Sequence, residues 1–146
     1  MGTPEELLDR TLLLTTLLSA DMDAFSERTG LSQARIHLLW VLGAEGPVTQ
    51  RALAAALGVT PRNVTGLVDG LERSGHVTRE PHPDDRRALL VTPTALGAEV
   101  VATLTAGHRD LADALFGSLS AADRRRFGAM LDDVVASLVQ ALEEQR

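Results

Sequence analysis

Gly58 limits the possible folds more than any other residue, because it divides a helical stretch in the middle of the chain into two short helices. The first is expected over residues 50–57, after Thr49, a residue type that caps helix starts well. Thr60-Pro61 then opens the second, with threonine as the cap and proline at the first helical position. This second helix ends at Ser74-Gly75 and has one apolar face, formed by Val64, Leu67, Val68 and Leu71.

The hydrophobic period changes from helix to strand directly after these two helices. Residues 76–80 and 86–92 each read as a strand, and residues 81–85 form a turn-rich tip between them. The returning segment starts in the sequence Asp85-Arg86-Arg87, whose aspartate is expected to orient a guanidinium through a bidentate pair. Two short helices followed by a hairpin predict a winged helix-turn-helix.

Long amphipathic patterns lie on both sides of this middle region. Thr3-Pro4 opens a helix expected over residues 4–28, which would be roughly 37 Å long at about 1.5 Å per residue. Such a helix is long for a small monomer and favours packing against a partner. A second helix, apolar nearly all round and therefore expected to be central, runs from Ser32 to Gly43. Two further helices are expected after Thr94 and Ser120.

Composition narrows the classes of protein to consider. The 146 residues include no cysteine, which excludes disulfides and thiolate metal sites. The net charge is −6, yet residues 45–92 are neutral, with six arginines and six acidic residues. This balance weakly indicates that the middle region meets an anion. Because no apolar run approaches about 18 residues and no charged region precedes a short apolar run, we expect a cytoplasmic protein without an export signal or membrane contact.

Patterns typical of catalytic sites are missing from the sequence. There is no G-x-G-x-x-G, P-loop, G-x-S-x-G or H-E-x-x-H. His108 shares a helix with Asp110 and Asp113, but this spacing is poor for a metal, and a solvated face is the better interpretation. We therefore expect neither an enzyme nor a bound cofactor or metal.

The second short helix and the hairpin tip carry side chains suited to DNA. Hydrogen-bonding groups cluster at the start of the helix, where they can reach base edges in a major groove: Thr60, Arg62, Asn63 and Thr65. Arg86 and Arg87 can enter a minor groove, where the negative potential is strongest, with Arg87 the first candidate. Gln33 and Arg51 stand near helix starts and are candidates for phosphate contacts.

The stretch from Leu53 to Gly97 carries a set of residues that runs from the turn through the second helix and the wing: Leu57-Gly58, Thr60, Leu67-Val68-Asp69, Leu71-Glu72, Gly75, Pro81, Pro83, Asp85-Arg86-Arg87, Thr94 and Gly97. With these residues the stretch resembles the MarR family of transcriptional regulators. The Asp-Arg-Arg of the wing is the most specific of these. The chain length and the two long flanking helical regions fit as well, so the resemblance covers nearly the whole chain.

The resemblance implies a fold that is mainly α with a small β-hairpin wing, in which a winged helix-turn-helix is flanked by long N- and C-terminal dimerisation helices. Residues 1–31 and 94–146 would form the dimerisation region and residues 32–93 the DNA-binding region. It further implies a homodimer, usually a repressor, that reads a pseudo-palindromic operator in double-stranded DNA and is released by a small phenolic or lipophilic anion. Gly66 and Gly70 stand at positions where members of the family often have arginine or another long polar residue. Because these side chains are missing, we expect fewer phosphate contacts.

Several interpretations stay open at this stage. A winged-helix module that binds a protein instead of DNA would suit the acidic balance and the two glycines. His37 and Trp40, on the apolar helix after Ser32, are candidate ligand-binding residues, although core packing is the favoured interpretation. His76 and His82 flank the wing and are expected to be exposed.

Overall fold

The computed structural model describes residues 2–145 of the chain. Within them, helices and strands follow one another as α1 (Pro4–Thr29), α2 (Gln33–Glu45), β1 (Val48–Thr49), α3 (Gln50–Leu57), α4 (Pro61–Arg73), β2 (Val77–Pro81), β3 (Leu89–Pro93), α5 (Ala95–Phe116) and α6 (Ala121–Glu144). The chain divides into two compact units, residues 1–104 and 105–146. The expected fold class, mainly α with a small hairpin wing, is confirmed.

The starts of the helices are built by the capping residues that the sequence indicates. The Thr3 hydroxyl accepts the backbone N–H of Glu6, whose carboxylate accepts the N–H of Thr3, which completes a capping box. Thr49 and Thr60 accept the N–H groups three residues further on, at 3.1 and 3.2 Å. Gly58 ends α3 at φ 65°, a left-handed conformation that glycine adopts without strain.

Two expected boundaries are wrong for identifiable reasons. α2 does not stop at Gly43 but continues to Glu45. Gly43 serves instead as the place where α5 approaches α2 closely. A Cβ built at Gly43 would collide with the side chain of Val101 in α5. The returning strand starts at Leu89 and not at Arg86, because residues 86–88 still belong to the tip, where the N–H of Ala88 donates to the carbonyl of Asp85 at 3.1 Å.

The wing belongs to a three-stranded antiparallel sheet in the order β1-β3-β2. β2 and β3 form the expected hairpin, with Arg79 opposite Val91 and Pro81 opposite Leu89. β1 was not expected from the sequence and contributes only two residues, with Val48 opposite Val91. A pair this short carries no alternation that a sequence pattern could show.

The core of residues 1–104 lies between α2, α3, α4 and the sheet. Side chains with no exposed surface come from all of these elements: Leu38, Leu39, Leu42, Leu53, Val64, Val68, Leu71 and Val91. Each such side chain stabilises the fold by about 1.5–3 kcal/mol relative to an exposed one. Because Val64, Val68 and Leu71 all face this core, α4 turns its opposite face outward.

The second unit, residues 105–146, contains the end of α5 and all of α6. The rings of Phe116 and Phe127 pack with their centroids 5.7 Å apart. Nη1 of Arg124 donates to the carbonyl of Leu119 at 2.7 Å. Arg126 lies 3.9 Å from Asp123, which is three residues before it on α6. None of the α6 residues that the structure describes is buried.

Among the helices of residues 2–145, none combines the length and the mean hydropathy needed to cross a membrane.

Candidate nucleic-acid interface

The first two turns of α4 present polar side chains to solvent. Thr60, Arg62, Asn63 and Thr65 are all exposed. The Thr60 hydroxyl accepts the backbone N–H of Asn63 and is therefore partly used as the helix cap. The long side chain of Arg62 makes no ion pair with any residue from 2 to 145. The structure thus brings the four predicted residues together on an accessible helix start.

The hydroxyl of Thr65 already donates one hydrogen bond and accepts another. It donates to the carbonyl of Pro61 at 3.0 Å and accepts from Nε2 of Gln50 at 3.1 Å. A hydroxyl has one proton, so Thr65 has no donor left for a base edge. Its methyl group is the part suited to an apolar contact, such as one with the methyl of a thymine.

Arg79 on β2 joins the wing to the outer part of α4. Its Nη2 lies 2.6 Å from Oδ1 of Asp69 and its Nη1 lies 3.3 Å from Oε1 of Glu72. Its Nε donates to Oε1 of Gln50 at 2.9 Å. We call Arg79, Gln50, Asp69 and Glu72 the wing clamp, because they link β2, α3 and α4. The sequence predicted no role for Gln50 or Arg79. Its one hint of a cation at this place is the acidic pair Asp69 and Glu72 on one face of α4.

The wing tip keeps its two arginines accessible. Arg86 and Arg87 are exposed, and neither forms an ion pair with another residue in the described chain. The expected bidentate pair from Asp85 is wrong, because Oδ1 of Asp85 accepts the backbone N–H of Arg87 at 3.0 Å. His82 is half-buried and not exposed as expected, and its Nδ1 accepts the N–H of Asp84 at 3.0 Å. Asp85 and His82 therefore shape the turn and leave both guanidinium groups available to an anion.

A cleft of about 440 Å³ connects the wing to the start of α3. Three arginines line it, together with four neighbours from β1, α3 and β3 and one residue that precedes β3: Arg51, Arg79, Arg87, Thr49, Gln50, Ala88, Leu89 and Val91. Arg79 is neutralised in the wing clamp, whereas Arg51 is exposed and makes no ion pair within residues 2–145. The cleft therefore offers positive charge to a polyanion that lies along the wing.

The predicted residues on α2 lie apart from this cleft lining. Nε2 of Gln33 donates to Oδ1 of Asp23, so this side chain holds α2 to α1. His37 is exposed, and the expectation of core packing for it is wrong. Trp40 is half-buried. An apolar helix still has an outer face when only part of its circumference meets the core, and His37 occupies that face.

His76 is buried, with only 8% of its surface exposed, so the expectation that it is exposed is wrong. Oγ of Ser74 lies 2.7 Å from its Nδ1, and its carbonyl accepts the N–H of Thr94 at 3.0 Å. Desolvation by burial lowers the pKa of His76 below its ordinary value. Gly97 leaves room for the His76 carbonyl, because a Cβ at residue 97 would collide with that oxygen.

Within residues 2–145, no three histidine, aspartate or glutamate side chains are grouped in a way that could hold a metal ion. The site is instead a helix start with exposed polar side chains, an arginine-tipped hairpin and a charged cleft between α3 and the wing. Together with the turn at Gly58, these features define a winged helix-turn-helix protein.

Comparison with known proteins identifies the family. Residues 31–89 match the model described as the MarR family. The transcriptional repressor YetL of Bacillus subtilis is 29% identical over 119 residues, which span 80% of this chain and 71% of YetL. Three other curated relatives, two named as transcriptional regulators and one as a transcriptional repressor, are matched over 50–60% of their own length. The helix-turn-helix transcriptional regulator YdgJ of Bacillus subtilis is 30% identical over 114 residues, which span 78% of this chain and 67% of YdgJ. The chain belongs to the MarR family of helix-turn-helix transcriptional regulators, as the resemblance implied.

Solved structures agree on the fold. RV1404 from Mycobacterium tuberculosis superimposes with a TM-score of 0.74 at 25% identity, over 93% of this chain and 94% of that one. A Staphylococcus aureus MepR–DNA complex gives a TM-score of 0.70 at 24% identity, over 94% of this chain and 99% of that one.

Proposed function

We propose that this chain is a homodimeric repressor that binds double-stranded DNA at a pseudo-palindromic operator. The observation that carries the proposal is the outward face of α4, where Thr60, Arg62, Asn63 and Thr65 are exposed while Val64 and Val68 anchor the helix in the core. An α-helix presented in this way fits a major groove. That YetL is named a repressor and that MepR is seen with DNA support the same function.

The wing supplies the second contact in this proposal. Arg86 and Arg87 are exposed and uncompensated, and a guanidinium is favoured in a narrow minor groove because the negative potential is highest there. In this proposal Arg51 and Gln33 contact phosphates, as residues at helix starts often do. Gln33 can donate only one of its two amide protons there, because the other is bound by Asp23.

The homodimer rests on apolar side chains that the single chain leaves exposed. Along α1 they are Leu7, Leu8, Leu12, Leu13, Leu14, Leu17, Leu18 and Met22, and along α6 they are Phe127, Met130, Leu131, Val134, Val135, Leu138, Val139 and Leu142. Exposed apolar surface of this extent is unusual for a monomer and marks an interface. We therefore assign residues 1–31 and 94–146 to dimerisation and residues 32–93 to DNA binding.

A small anionic effector completes the proposed function. The exposed ring of His37 and the half-buried ring of Trp40 lie one helical turn apart on α2, where Gln33 connects that helix to α1. A phenolic or lipophilic anion bound beside them would contact a helix of the DNA-binding region next to a dimerisation helix. Binding there would release the DNA if the anion favours a separation of recognition helices that does not match the operator.

The test begins with purified protein and sheared DNA from its own source, with the bound fragments sequenced and footprinted. We expect a protected pseudo-palindrome with half-sites about one helical turn apart. Arg86→Ala with Arg87→Ala should weaken operator binding tenfold or more, since the removal of each groove contact costs about 1–3 kcal/mol. Arg125→Ala with Arg126→Ala removes the same charge from α6 and should change binding much less.

Two results would contradict the proposal in different ways. Unchanged affinity of the doubly substituted wing, in a protein that light scattering shows to be dimeric, would remove the wing from the interface. A wild-type protein that binds no duplex at low salt, and that carries no co-purified ligand by mass spectrometry, would favour a protein-binding module.

A further inference from the structure

Two arginines of the described chain are half-buried, and they differ in how their charge is compensated. Arg79 is held by Asp69 and Glu72 in the wing clamp. Arg35, in the first turn of α2, has no carboxylate within 4 Å among residues 2–145. Every other arginine that the structure describes is exposed. Arg35 is therefore a partly desolvated cation that lacks a counter-ion from its own chain.

The guanidinium of Arg35 lies directly on the backbone of α4 at Gly70. A Cβ built on Gly70 would stand 2.5 Å from Nη2 of Arg35 and 2.8 Å from its Cζ and Nε. Gly70 is accordingly buried although it lies in a helix with an open outer face. The expectation that Gly70 only removes a phosphate contact is incomplete, because its missing side chain makes the notch that Arg35 occupies.

The position of Gly70 on α4 shows where this cation stands. At about 3.6 residues per turn, Gly70 and Asn63 share one flank of the helix, two turns apart. Asp69 and Glu72 lie on the other flank, toward Arg79. The outward face between the flanks includes Gly66, where an added Cβ would meet nothing within 4 Å. Arg35 thus borders the outward face on the side of Asn63.

We propose that Arg35 binds a backbone phosphate of the DNA beside the recognition helix. This inference rests on the proposed DNA binding, and it supplies from α2 the cation that α4 lacks at residues 66 and 70. A half-buried guanidinium without a carboxylate partner should form a strong charge-assisted hydrogen bond with a phosphate oxygen. Folding of the free protein has already removed part of its water, so binding DNA adds less desolvation cost. The bare backbone at Gly66 removes a side chain that would keep the DNA away from this flank.

The experiment measures the salt dependence of binding to the operator and to an unrelated duplex. Arg35→Gln should weaken binding to both, because a phosphate contact is independent of sequence. The slope of log Kobs against log salt should become shallower by about 0.9 for each phosphate that the variant no longer neutralises. Arg35→Lys, which keeps the charge, should retain most of the wild-type slope. Arg10→Ala, which removes an exposed arginine of α1, is the matched control; light scattering checks that this variant keeps the oligomeric state of the wild type, and its slope should be unchanged.

Gly70→Ala provides an independent variant that leaves Arg35 in the sequence. Alanine favours the helix more than glycine does, while its Cβ must displace the guanidinium. We expect the same shallower slope as in Arg35→Gln, with the helix content of the wild type by circular dichroism.

Three outcomes would overturn the inference. A wild-type slope in Arg35→Gln, with operator binding intact, would show that Arg35 does not contact DNA while leaving the proposed function untouched. A wild-type slope together with loss of release by a small anion would place an effector carboxylate, and not a phosphate, on Arg35. A wild-type protein that binds no duplex would overturn both this inference and the proposed function.

Discussion

Arg79→Met should lower the free energy of unfolding by about 2 kcal/mol, and the wing clamp shows why. The Arg79 side chain is 19% exposed, while its nearer partner Asp69 is 48% exposed. Exposed ion pairs stabilise by about 0–1 kcal/mol, whereas hydrogen bonds to charged groups contribute about 1.5–3 kcal/mol. We therefore expect the 2.6 Å ion pair with Asp69 to contribute about 1 kcal/mol to the free energy of unfolding. The contacts with Glu72 and Gln50 together should contribute about another 1 kcal/mol. Because methionine retains the apolar part of the arginine side chain, the loss of stability measures the contribution of the guanidinium group.

The same substitution should weaken DNA binding beyond its effect on folding. Without Arg79, Asp69 and Glu72 become two uncompensated carboxylates on one flank of α4, and phosphates repel them. Asp69→Asn in the Arg79→Met background should recover part of the affinity, because it removes one of these charges. Fluorescence anisotropy with a labelled operator measures this step at two salt concentrations.

The stability assay is urea unfolding followed by the fluorescence of Trp40, the one tryptophan of the chain. A double-mutant cycle of Arg79→Met and Asp69→Asn isolates the energy of the pair. We expect a coupling energy of about 1 kcal/mol, between the values for exposed and buried pairs. A coupling energy near zero, or a single variant as stable as the wild type, would refute the reasoning that the clamp holds the wing on α4.

Three further predictions address the turn, the buried histidine and the dimer. Gly58→Ala should lower the free energy of unfolding by about 1–2 kcal/mol, because a side chain is strained at φ 65°, and a urea midpoint equal to the wild type would contradict this. The unfolding free energy should decrease as the pH falls below about 6.5, since the unfolded chain binds a proton at a higher pKa than His76 does in the fold. His76→Gln should flatten that part of the pH profile, and an equally steep profile in the variant would assign the effect to other groups. Leu138→Glu, at a side chain 60% exposed on α6, should yield monomers by light scattering, whereas a stable dimer would move the interface elsewhere.

The short helices of the middle region could be predicted residue by residue from the sequence. α3 begins after Thr49 and ends at Leu57 as expected, and α4 begins at Pro61. These boundaries depend on a hydroxyl that reaches a backbone N–H three residues away and on a glycine in a left-handed conformation. Because both partners lie close together in the chain, the pattern alone contains the necessary information.

Long-range packing explains the expectations that were wrong. Gly43 was expected to stop a helix, yet it makes room for Val101, which lies 58 residues away in the sequence. Gly70 was expected only to lack a phosphate contact, yet it makes room for Arg35, which lies 35 residues away. The expected environments of His37 and His76 were wrong for the same reason. His37 lies on the outer face of an apolar helix, and His76 is enclosed where α4, β2 and α5 meet.

The order of the six helices and the wing hairpin, the turn at Gly58, the arginine-tipped wing and the family could be read from the amino-acid sequence, because each depends on neighbours within a few residues or on a motif of fixed spacing. Which side chains are occupied and which are available depends instead on the packed fold. Thr65 has no free hydroxyl proton, Arg79 is neutralised, and Arg35 stands uncompensated on Gly70. These properties depend on distances between residues on different elements, and such distances exist only after α2, α3, α4 and the wing have packed around one core.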